Sequence, residues 1–197
     1  MTVSTDKIKM LREKTNAGFM DCKDALVKTK GDVDKAVDEL RKKGLAIAAK
    51  KSSRVAKEGC IESYIHLGGK IGVMVEVNCE TDFVARNEQF KQFIKDVAMQ
   101  IAASNPRYLK TEDVPQEIVE KEKEILKAQA PDKPANILEK MITGKLNKFY
   151  QEVCLLEQPY IKDDKIKIKD YLTSVIAKIG ENIVIRRFTR YQLGEEI

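Results

Sequence analysis

The chain has 197 residues, of which 34% are charged, and a formal net charge of +5 at pH 7. This length can bury a hydrophobic core in one or two domains. The charge permits an acidic protein partner or weak attraction to RNA, but it is too small for a dedicated nucleic-acid-binding protein. No apolar run reaches the roughly 18–20 residues that span a bilayer, and the N-terminus lacks the hydrophobic region of a signal peptide. We therefore expect a cytoplasmic protein without membrane contact.

The four cysteines and the single histidine give no sign of a metal centre or a disulfide. Cys22, Cys60, Cys79 and Cys154 are far apart, and no two of them form a C-x-x-C pair. Each lies in an apolar periodic segment, which favours small buried side chains over a metal or redox role. With His66 as the one histidine, spacing alone assembles no metal-ligand cluster. We expect no metal site and no cofactor.

The first 44 residues predict three short helices. Turn residues at Asn16-Ala17-Gly18 end the first helix, and Gly31 stands in the position favoured just after the second. Asp32 can cap the third, whose apolar residues recur at helical spacing until Gly44. No helix of this length is stable alone, so we expect the three to pack into a small bundle.

A basic segment follows the bundle. Residues 41–57 contain seven basic side chains and no acidic one. We interpret residues 45–58 as a solvated linker, partly helical through Ala46, Ala48 and Ala49, between a domain at 1–44 and a second domain at 59–197. An RNA-contacting segment is the alternative, although no aromatic residue is interleaved to stack on bases.

A β-hairpin is predicted after the linker. Ile61, Ile65 and Leu67 give one face of its first strand, and Gly68-Gly69 forms a tight turn. From Ile71 to Cys79 apolar residues alternate with small or polar ones, which is the period-2 pattern of a half-buried strand.

Immediately after this strand the pattern changes to helical spacing. Thr81 or Asp82 can cap the new helix, which we expect to run to about Ala103. Phe83 lies seven residues before Phe90, so it could be the first side chain of that helix's buried stripe, and Asp82 could be only a cap. Alternatively, the corner between strand and helix projects both side chains outward from a rigid base.

The rest of the chain predicts mostly helices and one long strand. The first two are a charged helix from Gln116 to Ala130, stopped by Pro131, and a helix from Pro134 to about Leu156. A polar turn at Lys162 to Lys169 then flanks a short strand. The last two are a helix that Asp170 caps and that Gly180 ends after Ile179, and a strand from Asn182 to Leu193. The predicted fold class is therefore α+β, with a three-helix bundle followed by a small antiparallel sheet covered by helices.

The last predicted strand is apolar on both faces. Helices of the same chain could cover both faces, or the strand could pair with a second copy of the chain. The residues of the two faces are Ile183, Ile185, Tyr191 and Leu193 on one side, and Val184, Arg186, Phe188 and Arg190 on the other.

Several segments resemble the elongation factor Ts family. They are Leu11 to Leu26, Gly72 to Arg86, Phe90 to Leu109, Lys145 to Pro159 and Lys178 to Phe188. Together they cover nearly the whole chain. Asn16 stands where the family usually has a glycine, and asparagine also tolerates a left-handed backbone.

The resemblance implies a bundle of the ubiquitin-associated type and guanine-nucleotide exchange on elongation factor Tu, in its GDP-bound and nucleotide-free forms. In the family, the residues matching Thr81, Asp82, Phe83 and Val84 are associated with dislodging Mg²⁺ from this partner GTPase. They are therefore the candidate partner-binding residues.

The resemblance also implies a second contact and an assembly state. The three-helix domain would grip the partner's GTP-binding domain, with Met20 and Lys23 as candidate contact residues. The chain has the length of the short form of the family, whose members pair as homodimers. Because no cysteine follows Cys154, we expect no disulfide between two chains near the C-terminus. The dimer should therefore be non-covalent.

Two other function classes are alternatives to nucleotide exchange. An RNA- or ribosome-associated binding module that uses the basic segment is the main alternative. An enzyme has the least support, because the sequence contains no P-loop, no dinucleotide-binding fingerprint and no nucleophile motif. We expect no specific nucleic acid partner.

Overall fold

The chain alternates between helices and short strands. The structure, a computed structural model, describes residues 3–15, 17–129 and 134–196. Its helices are α1 (Thr5–Thr15), α2 (Phe19–Lys28), α3 (Val33–Lys51), α4 (Asp82–Ala85), α5 (Glu88–Ser104), α6 (Gln116–Ala128), α7 (Ala135–Val153) and α8 (Ile168–Ile179). Its strands are β1 (Glu58–Ile65), β2 (Ile71–Cys79), β3 (Pro159–Tyr160), β4 (Asp163–Lys167) and β5 (Val184–Gln192). Single 3-10 turns cover Thr111–Asp113 and Leu155–Glu157.

The strands form two small sheets. One is antiparallel with the order β1-β2-β5, and the other pairs β3 with β4, also antiparallel. A small antiparallel sheet accompanied by helices is the α+β class that the sequence predicts, so the predicted fold class is confirmed.

The chain divides into two compact units. The first contains Met1–Ile61, Glu76–Ile94 and Asp170–Arg186, and the second contains Glu62–Val75, Lys95–Lys169 and Arg187–Ile197. The division at residues 1–44, 45–58 and 59–197 concerns domains rather than these units, and it stays a prediction.

In the first unit, α1, α2 and α3 pack around a common core, as their apolar spacing predicts. Asp32 caps α3 because its carboxylate accepts a 3.1 Å hydrogen bond from the Lys35 backbone N–H. Gly31 takes a φ of +82°, which lets the chain turn out of α2. The predicted turn residue Asn16 lies outside the described residues. The buried core of the bundle is Ile8, Leu11, Cys22, Ala25, Leu26 and Ala36.

The third helix is longer than predicted, because α3 continues through Gly44 to Lys51. A Cβ at Gly44 would lie 3.7 Å from the Cβ of Ala177 and from the Cγ2 of Thr173, so this glycine is where α3 meets α8. A glycine inside a helix costs only about 1 kcal/mol, and packing on α8 offsets that cost. The predicted end at Gly44 is therefore wrong, and most of the basic segment is helical.

The strand predicted at Ile71 to Cys79 is confirmed as β2. Its side chains at Val73, Val75, Val77 and Cys79 are buried, in the alternation that the sequence shows.

The first hairpin strand differs more from expectation. Ile61 and Ile65 are exposed on β1, and Leu67 lies in the turn instead of on the strand. The His66 N–H donates to the Ile71 carbonyl at 2.9 Å, so four residues form the loop. Two of them are the predicted glycines, both with positive φ.

The helix expected from Thr81 to about Ala103 is broken in two. α4 ends at Ala85, and α5 begins at Glu88. Asn87 causes a new start, because its side-chain oxygen accepts a 2.7 Å hydrogen bond from the Gln89 N–H. Asparagine favours such caps over helix interiors.

The second unit contains α6 and α7, which pack on each other. α6 ends at Ala128, and the predicted last residue Ala130 and stop residue Pro131 lie outside the described residues. α7 follows Pro134 as predicted but ends at Val153, three residues early, because the next residues form a 3-10 turn. Val119 of α6 forms a small buried apolar cluster with Val114 and Cys154, and side chains of α7 pack against this cluster.

The start of α8 corrects another prediction. The helix begins at Ile168, so Asp170 lies in its first turn and is not its cap. Its carboxylate instead binds Arg41 at 3.0 Å. The predicted end is confirmed, because Gly180 has a φ of +83° just after Ile179.

The alternation predicted for the last strand holds for only part of β5. Ile183 and Ile185 are buried, but Arg186 and Arg187 are both exposed, and the next partly buried side chain is Phe188. The inward face thus changes from odd to even positions. The predicted two faces are correct only up to Arg186, because strict alternation cannot accommodate two successive outward side chains.

Candidate protein-binding site

The candidate site is the corner at which β2 ends and α4 begins. Cys79 is fully buried, and its thiol donates a 3.1 Å hydrogen bond to the Thr81 carbonyl. Burial raises the pKa of Cys79 to about 11, so the thiol keeps the proton that it donates. Thr81 then caps α4, because its hydroxyl oxygen accepts from the Val84 N–H at 3.4 Å. The corner therefore rests on a buried strand end.

Asp82 contributes charge and not the cap. It is the first residue of α4, where a carboxylate is favourable beside the positive end of the helix dipole. It also binds the Arg86 guanidinium at 2.9 Å, one turn further on. Of the two caps that the sequence allows, Thr81 takes the role.

Phe83 is the exposed member of the site. Its side chain is 80% exposed, whereas Phe90 and Phe93 on α5 are 0% exposed. The alternative in which Phe83 begins the buried stripe of the following helix is therefore excluded. The break at Asn87 explains this exposure, because α4 and α5 are separate helices and the buried side of α5 does not continue onto α4. Val84 is partly buried, so α4 presents a single aromatic ring to solvent.

A residue that sequence reasoning missed lies behind the corner. Glu181 accepts a 2.7 Å hydrogen bond from the Thr81 hydroxyl, although 100 positions separate the two residues. No local spacing could reveal this contact. The one available signal is Gly180, which ends α8 and brings the chain into a new direction just before Glu181.

The two candidate residues of the bundle lie on one side of α2. Met20 and Lys23 are exposed, and Val27 continues the same stripe at positions i, i+3 and i+7. Sequence reasoning missed Val27 and the exposed Phe19. The signal for Val27 was available, because it lies four positions after Lys23 and so on the exposed side of α2.

The described residues contain no group of three or more histidine, cysteine, aspartate or glutamate side chains that could hold a metal ion. Cys22, Cys79 and Cys154 are buried, and Cys60 is partly buried.

Comparison with known proteins identifies relatives along the whole chain. A family model described as "Elongation factor TS" matches residues 3–195. The chain belongs to the elongation factor Ts family. It is 60% identical over 197 residues to the elongation factor Ts of Caldanaerobacter subterraneus subsp. tengcongensis, covering 99% of this chain and 98% of that protein. It is 61% identical over 195 residues to that of Carboxydothermus hydrogenoformans, covering 98% and 90%.

A third relative, the elongation factor Ts of Geobacter metallireducens, is 58% identical over 99% of this chain and 91% of its own length. Membership of the elongation factor Ts family supports a role in translation elongation. Within the described part of the chain, no helix combines the length and the apolar character needed to cross a membrane.

Proposed function

We propose that this chain is a guanine-nucleotide exchange factor, which binds elongation factor Tu in its GDP-bound form, displaces Mg²⁺ and promotes GDP release. The observation that carries the proposal is the 80% exposure of Phe83 on a helical turn attached to a buried strand end. An exposed aromatic ring gains free energy when a partner removes it from water. Family membership supports elongation factor Tu as that partner.

In this mechanism the exchange factor displaces parts of the partner and so weakens its binding of Mg²⁺ and GDP. In a GTPase, Mg²⁺ bridges the nucleotide phosphates to protein ligands and contributes much of the affinity for GDP. Phe83 enters between helices of the partner and shifts the loops that hold the metal and the phosphates. Thr81, Asp82 and Val84 form the rest of the contact. The Mg²⁺ belongs to the partner, so the exchange factor itself needs no cofactor.

Thermodynamic linkage gives the direction of the cycle. If the factor weakens GDP binding by some ratio, then GDP weakens the binding of the factor by the same ratio. The nucleotide-free complex is therefore the tightest one, and incoming GTP expels the factor. Because no covalent bond forms or breaks, the chain acts as a binding protein and not as an enzyme. It acts in the cytoplasm, together with its partner.

The three-helix bundle supplies a second contact with the partner. The exposed stripe of Met20, Lys23 and Val27 on α2 offers two apolar side chains and one positive charge. Apolar side chains grouped on a surface are typical of protein interfaces. In this proposal the bundle holds the partner while the corner at Phe83 loosens the nucleotide.

The protein works as a non-covalent homodimer, which binds two copies of the partner. The support is a group of exposed apolar side chains in the second unit, where Leu67 is 90%, Tyr191 70% and Leu193 76% exposed. The Leu193 N–H donates to the Lys70 carbonyl at 2.8 Å, which fixes the end of β5 at the hairpin turn. Exposed apolar side chains at the end of an edge strand suit a symmetric contact with a second copy.

The basic segment favours exchange over the RNA-binding alternative. Arg41 binds Asp170 at 3.0 Å, and Lys43 binds Asp21 at 2.7 Å. These two of the seven basic side chains thus form ion pairs within the chain, and both lie on the regular helix α3. RNA recognition would need cations that are free to contact phosphates.

The direct test measures GDP dissociation from elongation factor Tu by stopped flow with a fluorescent GDP. Faster dissociation at micromolar concentrations of this protein is the expected result. No acceleration would contradict the proposal. RNA binding with unchanged GDP dissociation would favour the alternative.

A further inference from the structure

Glu181 holds the corner through three hydrogen bonds. Its carboxylate accepts from the Glu80 N–H at 3.1 Å, from the Thr81 N–H at 3.1 Å and from the Thr81 hydroxyl at 2.7 Å. One side chain therefore binds both backbone amides that lead into α4, together with the hydroxyl that caps it. Hydrogen bonds to a charged acceptor are stronger than those between neutral groups.

The contact is reciprocal. The Glu80 carboxylate accepts a 2.6 Å hydrogen bond from the Asn182 N–H, and the Arg54 guanidinium binds it at 3.4 Å. The side-chain amide of Asn182 in turn donates to the Arg54 carbonyl at 2.7 Å. We call this arrangement, in which Glu181 binds the backbone amides of Glu80 and Thr81 and Glu80 binds that of Asn182, the carboxylate clasp. It joins the end of β2 to the segment between α8 and β5.

The corner needs such support because α4 is too short to be stable alone. It has four residues, whereas isolated helices shorter than about 12–15 residues are marginal in water. Phe83 makes little contact of its own, since it is 80% exposed. Its position therefore depends on Thr81, and Thr81 is held by Glu181.

We propose that Glu181 is a positioning residue for nucleotide exchange, which fixes the direction of Phe83 by holding Thr81 and the start of α4. This inference rests on the exchange function proposed above. Glu181 does not need to touch the partner. Its effect on exchange passes through Phe83, and this makes the inference testable apart from any general effect on stability.

The first measurement concerns the corner without a partner. Hydrogen–deuterium exchange over residues 80–87 is compared between the full-length wild type and Glu181→Ala. Loss of charge-assisted hydrogen bonds predicts roughly tenfold to hundredfold faster exchange there. Glu181→Gln, which keeps the size of the side chain, serves as a milder variant in case Glu181→Ala does not fold. The matched control is Asp170→Asn, which removes one carboxylate from the same unit. It should leave the deuterium exchange of residues 80–87 unchanged.

The second measurement is a double-mutant cycle on GDP release from elongation factor Tu. In the wild-type background, Glu181→Ala reduces the acceleration by about tenfold or more. In the Phe83→Ala background the same change has little further effect, because the residue that it positions is gone.

Two results would overturn the positioning role. One is unchanged deuterium exchange over residues 80–87 in both Glu181 variants. The other is an equal loss of acceleration with and without Phe83. If wild-type protein does not accelerate GDP release at all, the exchange function fails instead, and the deuterium exchange still reports whether Glu181 holds the corner.

Discussion

Arg41 and Asp170 are joined at 3.0 Å across 129 positions of sequence, because one guanidinium nitrogen of Arg41 donates to both carboxylate oxygens of Asp170. The pair links α3 to α8 within the first unit. Since α3 also approaches α8 at Gly44, the basic segment there is part of a packed helix. Because the Arg41 side chain is 61% exposed, solvent screening keeps the contribution of this ion pair small, at about 1 kcal/mol or less.

Gly44→Ala should stabilise the protein by about 0.5–1 kcal/mol, because alanine costs less than glycine inside a helix. The new Cβ would meet Ala177 and Thr173 at 3.7 Å, an ordinary contact distance. Urea unfolding measures the change.

The matched control for this substitution is Gly180→Ala. Gly180 has a φ of +83° and nothing within 4 Å of an added Cβ, so alanine there adds backbone strain without a clash and should destabilise. A loss of stability from Gly44→Ala would contradict the packing of α3 on α8.

The carboxylate clasp predicts a dependence of stability on pH. The hydrogen bond from the Asn182 backbone, helped by Arg54, holds the pKa of Glu80 below its ordinary value of 4.5. A carboxyl group with a lower pKa in the folded chain stabilises the fold above its unfolded pKa, and this contribution is lost as the pH falls through the folded pKa. As the pH falls below 4.5, the unfolding free energy of Glu80→Gln should therefore decrease less than that of the wild type.

Unfolding free energies from urea titrations above and below pH 4.5 measure this difference. Parallel pH curves for the wild type and Glu80→Gln would show that Glu80 gains nothing from the clasp.

Sequence patterns predicted what short-range chemistry determines. The alternation from Ile71 to Cys79, the cap at Asp32 and the helix end at Gly180 all depend on residues close together in sequence, and all are confirmed. The α+β class follows from such elements. The four residues of the candidate site rest on the family resemblance and stay a prediction, because the patterns alone left the exposure of Phe83 open.

Long-range contacts account for what the sequence did not predict. Local spacing predicts a helix end at Gly44, because the residues of α8 that it contacts are more than 120 positions away in sequence. Asp170 was read as a cap for the same reason, since its partner is Arg41. Glu181 was missed because nothing near it suggests a tie to Thr81. Local patterns cannot show which distant side chain satisfies a carboxylate.

Assembly is tested by light scattering at tens of micromolar protein. The expected mass is near twice that of the 22.4 kDa chain, and it should be the same with and without reductant because the proposed dimer contains no disulfide between chains. A combined Tyr191→Asp and Leu193→Asp variant should shift the mass towards that of one chain, because buried unpaired charges oppose association.

The control for assembly is Leu45→Asp, which adds a charge at an exposed leucine on α3 and should leave the mass unchanged. A single-chain mass for the wild type at all concentrations, including in the complex with elongation factor Tu, would contradict the dimer.

The most direct test of the account is Phe83→Ala, with thermal stability and GDP release from elongation factor Tu measured on the same preparation. Because Phe83 is 80% exposed, its truncation should change stability by no more than about 0.5 kcal/mol. Phe93→Ala, at a ring that is 0% exposed, is the control and should cost about 3–5 kcal/mol. We predict that Phe83→Ala keeps the wild-type melting temperature and loses most of the acceleration of GDP release. If a folded Phe83→Ala protein accelerated GDP release as much as the wild type does, the proposed role of Phe83 in nucleotide exchange would be contradicted.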